Sequence, residues 1–164
     1  MEVHGWTLYF HGCFEEQLTG LLEDVHEAAR RRPDDYRKTN VFKRLAAVAS
    51  VAFDRIPRDP ANPRYRQGET LGKDRKHWFR AKFFQQYRLF FRFSDAERAI
   101  VYAWVNDEDS RRAYGSKTDA YSTFARMLAN GHPPDDWKAL KVAVIEERRL
   151  DALAAQVDAL QRGR

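Results

Sequence analysis

Trp78-Phe79-Arg80-Ala81-Lys82-Phe83-Phe84 and Tyr87-Arg88-Leu89-Phe90-Phe91-Arg92-Phe93 decide the fold. Side chains of a strand alternate between its two faces. Phe79, Ala81 and Phe83 therefore share one face of the first segment, with Arg80 and Lys82 on the other. Leu89, Phe91 and Phe93 share a face of the second, opposite Arg88 and Arg92. Each strand offers one apolar and one basic side, as a half-buried antiparallel sheet requires. A two-residue turn at Gln85-Gln86 would pair Phe83 with Arg88 and throw the two basic rows onto opposite sides. Gln-Gln suits such a turn badly, because the favoured types need positive φ. The expected connection is a three-residue loop or a bulge, pairing Phe83 with Tyr87 and Lys82 with Arg88. The apolar rows then rest on helices, and the cations stand together on the other side.

That placement concentrates charge. The chain has 29 Lys and Arg against 24 Asp and Glu, a net of +5. Residues 73–92 alone hold seven basic residues and one acid, Asp74. A merely solvated face usually mixes signs. A local positive field of this kind suits a polyanion, nucleic acid first. The rest of the composition narrows the class. With 164 residues, 43% hydrophobic and 32% charged, the chain is one ordinary globular domain rather than a disordered or fibrous protein. The longest largely apolar stretch, residues 45–53, is well short of the ~20 that a membrane helix needs. No basic and then apolar leader opens the chain, so no secretory signal is expected. The single cysteine, Cys13, allows neither an intrachain disulfide nor a zinc pair and reads as core packing. A cytoplasmic location fits best.

Working outward, residues 6–10 read as a first strand. Phe14, Leu18, Leu21, Leu22 and Val25 recur at helical spacing, with Glu15 and Glu16 at the front, Arg30-Arg31-Arg32 at the back and Pro33 as the stop. Asp34 is the expected cap of a second helix carrying Val41, Phe42, Leu45, Val48, Ala49 and Ala52. Residues 57–77 form a long connection, a length usually tied to function or mobility. Residues 99–106 are apolar on both faces, which places that strand mid-sheet. Thr118 or Asp119 caps a further helix with Tyr121, Phe124, Met127 and Leu128, and Asn130-Gly131 ends it. A last helix is expected from Asp135 to about Gln161. Leu150, Leu153, Val157 and Leu160 space its end like a short heptad seam, read first as packing on its own domain and second as a partner surface. The order is β-α-α-β-β-β-α-α. No glycine-rich phosphate loop of either nucleotide-binding type occurs, so no cofactor is expected.

Several other residues bear on chemistry. Tyr114 follows the central strand and can exchange a proton beside a phosphate. His132, in Gly131-His132-Pro133-Pro134, reads as an acid or base, or as a structural turn histidine. Asp107-Glu108-Asp109 does not converge as a metal site would, and no metal is expected.

The runs His4-Gly5-Trp6-Thr7-Leu8-Tyr9, Tyr87-Arg88-Leu89-Phe90-Phe91-Arg92, Trp104-Val105-Asn106-Asp107-Glu108, Tyr114-Gly115-Ser116-Lys117-Thr118-Asp119-Ala120-Tyr121 and Gly131-His132-Pro133-Pro134 resemble the YhaV toxins. These are RelE-superfamily endoribonucleases of type II toxin–antitoxin systems. The resemblance covers roughly residues 5–140. It implies an α+β, RelE/ParE-like fold: a small, mostly antiparallel sheet with two N-terminal helices on one face, and C-terminal helices. Residues 1–145 would form the toxin domain and 146–164 a helical extension of it. It also implies mRNA cleavage that stops growth, on or off the ribosome, and neutralisation by a PrlF-type antitoxin of AbrB-like fold. Operator DNA would be bound only through the antitoxin complex, and no membrane is involved.

Carried over by position, the resemblance makes Arg80, Lys82, Arg88 and Tyr114 the catalytic group; His132 is added, from its own chemistry, as a further acid or base. Arg92, Arg111, Arg112 and Lys117 would hold flanking phosphates. RelE proper has a basic residue just after the central strand; this chain has Asp107-Glu108, so Arg111 or Arg112 would substitute. The expected reaction is metal-independent attack of a 2′-hydroxyl on the adjacent phosphate. A ParE-like gyrase poison and a non-enzymatic nucleic-acid-binding co-repressor are the alternatives.

Overall fold

The computed structural model describes residues 1–110, 119–144 and 147–162, with the side chains of 147–150 left aside. The order is β1 (Glu2–Val3), β2 (Trp6–Phe10), α1 (Gly12–Arg31), α2 (Asn40–Ser50), α3 (Ile56–Arg58), β3 (Phe79–Phe83), β4 (Tyr87–Ser94), β5 (Ala99–Val105), α4 (Ala120–Ala129), α5 (Trp137–Ala143) and α6 (Glu147–Arg162). The five strands form one sheet in the order β1-β2-β5-β4-β3, antiparallel except for β2 beside β5. The doubly apolar strand β5 stands at its centre, as its sequence requires.

The register of the β3–β4 hairpin is the expected one. Lys82 faces Arg88 and Phe83 faces Tyr87 across a three-residue loop, 84–86. Phe84 and Gln85 supply that loop's positive φ, at 47° and 60°. Leu89, Phe91, Ile100 and Tyr102 pack with Leu8 and Phe10 against Leu18, Leu22 and Val25 of α1 and Leu45 and Val48 of α2. Each fully buried Leu or Phe in this layer contributes about 1.5–3 kcal/mol. Leu153 and Val157 of α6 join the same layer, and Leu160 packs against it. The heptad-like spacing thus serves packing on the chain's own core.

Four features depart from expectation. The short strand β1 carries too few residues to show a period. Asp34 does not cap the second helix; Tyr36–Lys38 forms a separate 3₁₀ turn and Thr39 is the cap, its Oγ1 accepting from Phe42 N at 3.4 Å. Buried Tyr36, edge-on to Phe42 at 5.6 Å, holds that turn apart. The last helix is broken in two, because Val144 is extended and bridges antiparallel to His11. Finally, the basic face of the sheet is not open. Phe90 lies between Arg88 and Arg92 on that face, and a bulge in β5 turns both Ala103 and Trp104 toward it. These apolar groups need cover, and Tyr121, Phe124 and Leu128 of α4 provide it. Phe124 stacks on Phe90 at 4.3 Å and on Trp104 at 5.9 Å.

Helix α2 runs into a π turn, Val51–Arg55, before α3. Pro57 has no N–H to give back along the helix, and the Tyr102 hydroxyl donates to the Ala52 carbonyl; both loosen the α ladder. The long connection 57–77 is built around buried Gln67, whose Nε2 donates to Arg75 O at 2.7 Å and whose Oε1 accepts from Thr70 Oγ1 at 2.6 Å and Leu71 N at 3.2 Å.

His11 caps α1 through Nδ1, which accepts from Cys13 N at 3.1 Å. Burial, and then the nearby His132, push its pKa down from 6.5 to about 4. Protonation would place a proton on the capping nitrogen and a positive charge at a helix N-terminus. Between pH 6.5 and 4 the unfolded chain therefore binds more protons than the folded one. Stability falls on acidification across that window, by up to about 1.4 kcal/mol per pH unit from this group. Urea unfolding at pH 7 and pH 5 should show a smaller loss for His11→Asn, which keeps a cap without a titrating ring. Equal losses in the two proteins would refute this.

Candidate active site

The hairpin register puts Arg80, Lys82, Arg88 and Arg92 on one side of the sheet, and two of them meet at a single atom. Arg80 Nε donates to Tyr121 Oη at 2.9 Å, and Arg88 Nε donates to the same oxygen at 3.1 Å. The Arg88 guanidinium also lies over the Tyr121 ring, 5.7 Å from its centre. Backbone carbonyls hold the outer sides. Arg80 Nη1 donates to Arg64 O at 2.8 Å, from the long connection. Arg88 Nη1 donates to Gln85 O at 2.7 Å and Tyr87 O at 2.9 Å, in the hairpin turn. Nη2 of each guanidinium has no partner among the described residues.

The electrostatics of this pair are unusual. Arg80 and Arg88 are only 8% and 7% exposed, and neither forms an ion pair with a carboxylate among the described residues. Desolvating a guanidinium costs several kcal/mol, and buried charges are ordinarily paired. Two of them side by side, bound to neutral acceptors, form a site short of one anion. A planar fork on each is suited to a phosphate.

Local sequence explains the placement. Asn106, buried at the end of β5, accepts from Arg88 N at 2.7 Å and donates to Gln86 O at 3.0 Å and Ser110 O at 2.8 Å. It thereby ties the base of Arg88 to the hairpin turn. Asp119 caps α4 by accepting from Tyr121 N at 3.0 Å, which orients the first turn and its phenol. The Tyr121 ring packs edge-on to Phe90 at 5.7 Å.

Lys82 is exposed and makes no ion pair among the described residues. With Arg55 and Arg64 it lines a cleft of about 220 Å³ along the β3 edge. Arg92 is not brought to the pair. Its guanidinium lies between Trp78, at 5.6 Å, and Trp137, at 5.4 Å, and donates to Asp135 O at 2.6 Å. Burial lowers its pKa, and its Nε is buried with no partner. Asp135 in turn takes Trp78 Nε1 at 2.7 Å and pairs with His77 at 2.9 Å, so this group ties the 135–137 segment to the sheet. The described contacts of His132 are also elsewhere: its ring is edge-on to His11 at 5.0 Å, and its carbonyl faces Cys13 Sγ at 3.8 Å. Burial first, then Glu16, raises the Cys13 thiol to about 11, which leaves it inert. Tyr114, Arg111, Arg112 and Lys117 lie outside the described residues.

Two of the carboxylates at 107–109 have structural partners. Asp107 Oδ1 accepts from Ser110 N at 3.0 Å and Oγ at 2.8 Å, and Glu108 pairs with Arg44 at 3.4 Å. Among the described residues no three His, Cys, Asp or Glu side chains are grouped as metal ligands. Sequence reasoning missed Tyr121 and Asn106 as site residues. Tyr121 hides in the helical period it shares with Phe124 and Leu128. Asn106 gave a signal, a polar side chain closing an otherwise apolar strand.

Comparison with known proteins identifies the family. The family model described as a toxin with endonuclease activity, of toxin–antitoxin system, matches residues 8–145. The ribonuclease toxin YhaV of Escherichia coli strain K12 is 44% identical over 140 residues, which cover 84% of this chain and 91% of that protein. Toxin YhaV of Escherichia coli O6:H1 matches with the same identity and coverage. Among solved structures, the RelBE2 toxin–antitoxin complex from Mycobacterium tuberculosis matches 66% of this chain and 95% of the chain compared, at 23% identity and a TM-score of 0.38. A family match over most of the chain, joined to close relatives of nearly equal extent, places this chain in the YhaV family of toxin–antitoxin endonucleases.

Proposed function

We propose that the chain is a metal-independent endoribonuclease that cleaves mRNA and stops growth until an antitoxin binds it. The Escherichia coli K12 relative is a ribonuclease toxin by name; the observation that carries the reading here is the carboxylate-free pair Arg80 and Arg88 on one phenol oxygen. A scissile phosphate supplies the missing anion. The 2′-hydroxyl oxygen attacks the adjacent phosphorus, the bond from phosphorus to the 5′-oxygen breaks, and a 2′,3′-cyclic phosphate and a 5′-hydroxyl result. The proton of the 2′-hydroxyl passes to a base, and the leaving oxygen takes one from an acid. Arg80 and Arg88 stabilise the added negative charge of the phosphorane. Lys82 serves as base or as a third positive charge. Tyr114 assists proton transfer or stacks on a base, and Arg111, Arg112 and Lys117 meet flanking phosphates. Arg92 supports this side of the sheet from its place between two indoles, and His132 supports the start of α1.

The antitoxin is of the PrlF type, operator DNA is met only through the complex of the two, and the site of action is the cytoplasm, free or on the ribosome. No described helix is long and apolar enough to cross a membrane. An RNA carrying one 2′-deoxy sugar at the cut site should remain intact, while the all-ribose strand is cut equally with and without EDTA. Cleavage of the deoxy-substituted strand would reject the mechanism, and loss of activity in EDTA would require a metal.

A further inference from the structure

On the helix side of the sheet, away from the arginine pair, α2 and the hairpin tip enclose a groove of about 680 Å³. Its floor is apolar: Phe42 and Ala46 from α2, and Phe84 from the hairpin turn. Phe84 is 54% exposed, one of two large apolar side chains left so open among the described residues. The rim is cationic: Arg37, Lys43 and Arg55, with no acid among the lining residues. None of the three makes an ion pair among the described residues. Some other surface cations are matched, as Arg31 is with Glu27, Arg58 with Asp54 and Arg98 with Asp95, while others, Lys82 among them, are not matched among the described residues. What sets this groove apart is three cations around an exposed apolar floor.

We propose that this groove is the docking site for an acidic amphipathic segment of the antitoxin. The family's place in a toxin–antitoxin system requires such a partner; the proposal rests on that and not on the ribonuclease chemistry. The surface states the partner's chemistry. Apolar anchors of a helix at i, i+3 or i+4 and i+7 fit a floor that follows α2, and flanking Asp or Glu meets the three unmatched cations. α2 has 11 residues, so the occupant needs about three helical turns to match it. An exposed ring beside cations also suits an RNA strand, so RNA is the competing occupant that the experiment separates. The occupant also abuts the turn whose Gln85 carbonyl holds Arg88 Nη1 at 2.7 Å, which links docking to the phosphate site.

Hydrogen exchange on the unmodified toxin, free and bound to its antitoxin, tests this directly. Protection of residues 40–55 and 83–86 by the antitoxin is expected. The double variant Lys43→Glu, Ala46→Glu should bind the antitoxin roughly tenfold or more weakly and escape its neutralisation in a growth assay, with RNA cleavage unchanged. Exchange unaltered at 40–55 and 83–86 in the complex would overturn the proposal, even if the variant fails to fold. So would protection of those residues by an uncleavable deoxy-substituted RNA in place of the antitoxin. Loss of RNA cleavage in the unmodified protein bears on the ribonuclease reading alone.

Discussion

Arg88→Ala lowers kcat for RNA cleavage by roughly a hundredfold to a thousandfold and leaves a folded protein. That is the typical loss when one preorganised donor to a developing oxyanion is removed. The fold survives because Arg88 has no carboxylate to leave unpaired. Its side-chain partners are one phenol oxygen and two carbonyls at the hairpin turn, where water can replace it. The free energy of unfolding should therefore change by no more than about 1–2 kcal/mol. Arg88→Lys separates charge from geometry. It keeps a cation but loses the fork that holds Tyr121 and the turn while pointing a second edge outward, so most of the loss should persist. Single-turnover cleavage, with urea unfolding on the same samples, checks both halves. Wild-type cleavage by Arg88→Ala would remove the arginine from the reaction.

Tyr121→Phe has the second largest effect, roughly tenfold to a hundredfold in kcat with a smaller change in KM. The ring's contacts with Phe90 and with the rest of its cluster survive the substitution. What disappears is the oxygen that takes both Nε–H groups. Two buried guanidinium groups then have an unmet donor each and no shared anchor, and a misplacement of about 1 Å is enough for such a loss. A structural role alone would lower stability without a loss of kcat in the fraction that remains folded. Pre-steady-state cleavage normalised to folded protein makes that distinction.

Much of this site was legible because it rests on parity. The alternation in residues 79–83 and 87–93, with the poor fit of Gln-Gln to a two-residue turn, leads to Lys82 opposite Arg88, and the structure has that register. What parity does not carry is cover. Arg88 and Arg92 have the same parity on one strand, yet Arg88 meets Tyr121 while Arg92 is taken up by Trp78, Trp137 and Asp135. The difference is made chiefly by residues 33 to 45 positions further along the chain, which no local pattern encodes. The bulge that turns Trp104 to the same face is equally silent, because β5 is apolar throughout. Tyr121 has the spacing of a core residue and is one by its ring; only its hydroxyl serves the arginines. The break at Val144 likewise depends on a distant partner, His11.

The pair's purpose is tested most directly by a structure of the protein bound to an RNA whose cut site carries a single 2′-deoxy sugar. The account predicts one phosphate with its oxygens within hydrogen-bond distance of Nη2 of both Arg80 and Arg88, beside the Tyr121 hydroxyl. A strand bound elsewhere, with both Nη2 groups facing water, would contradict it.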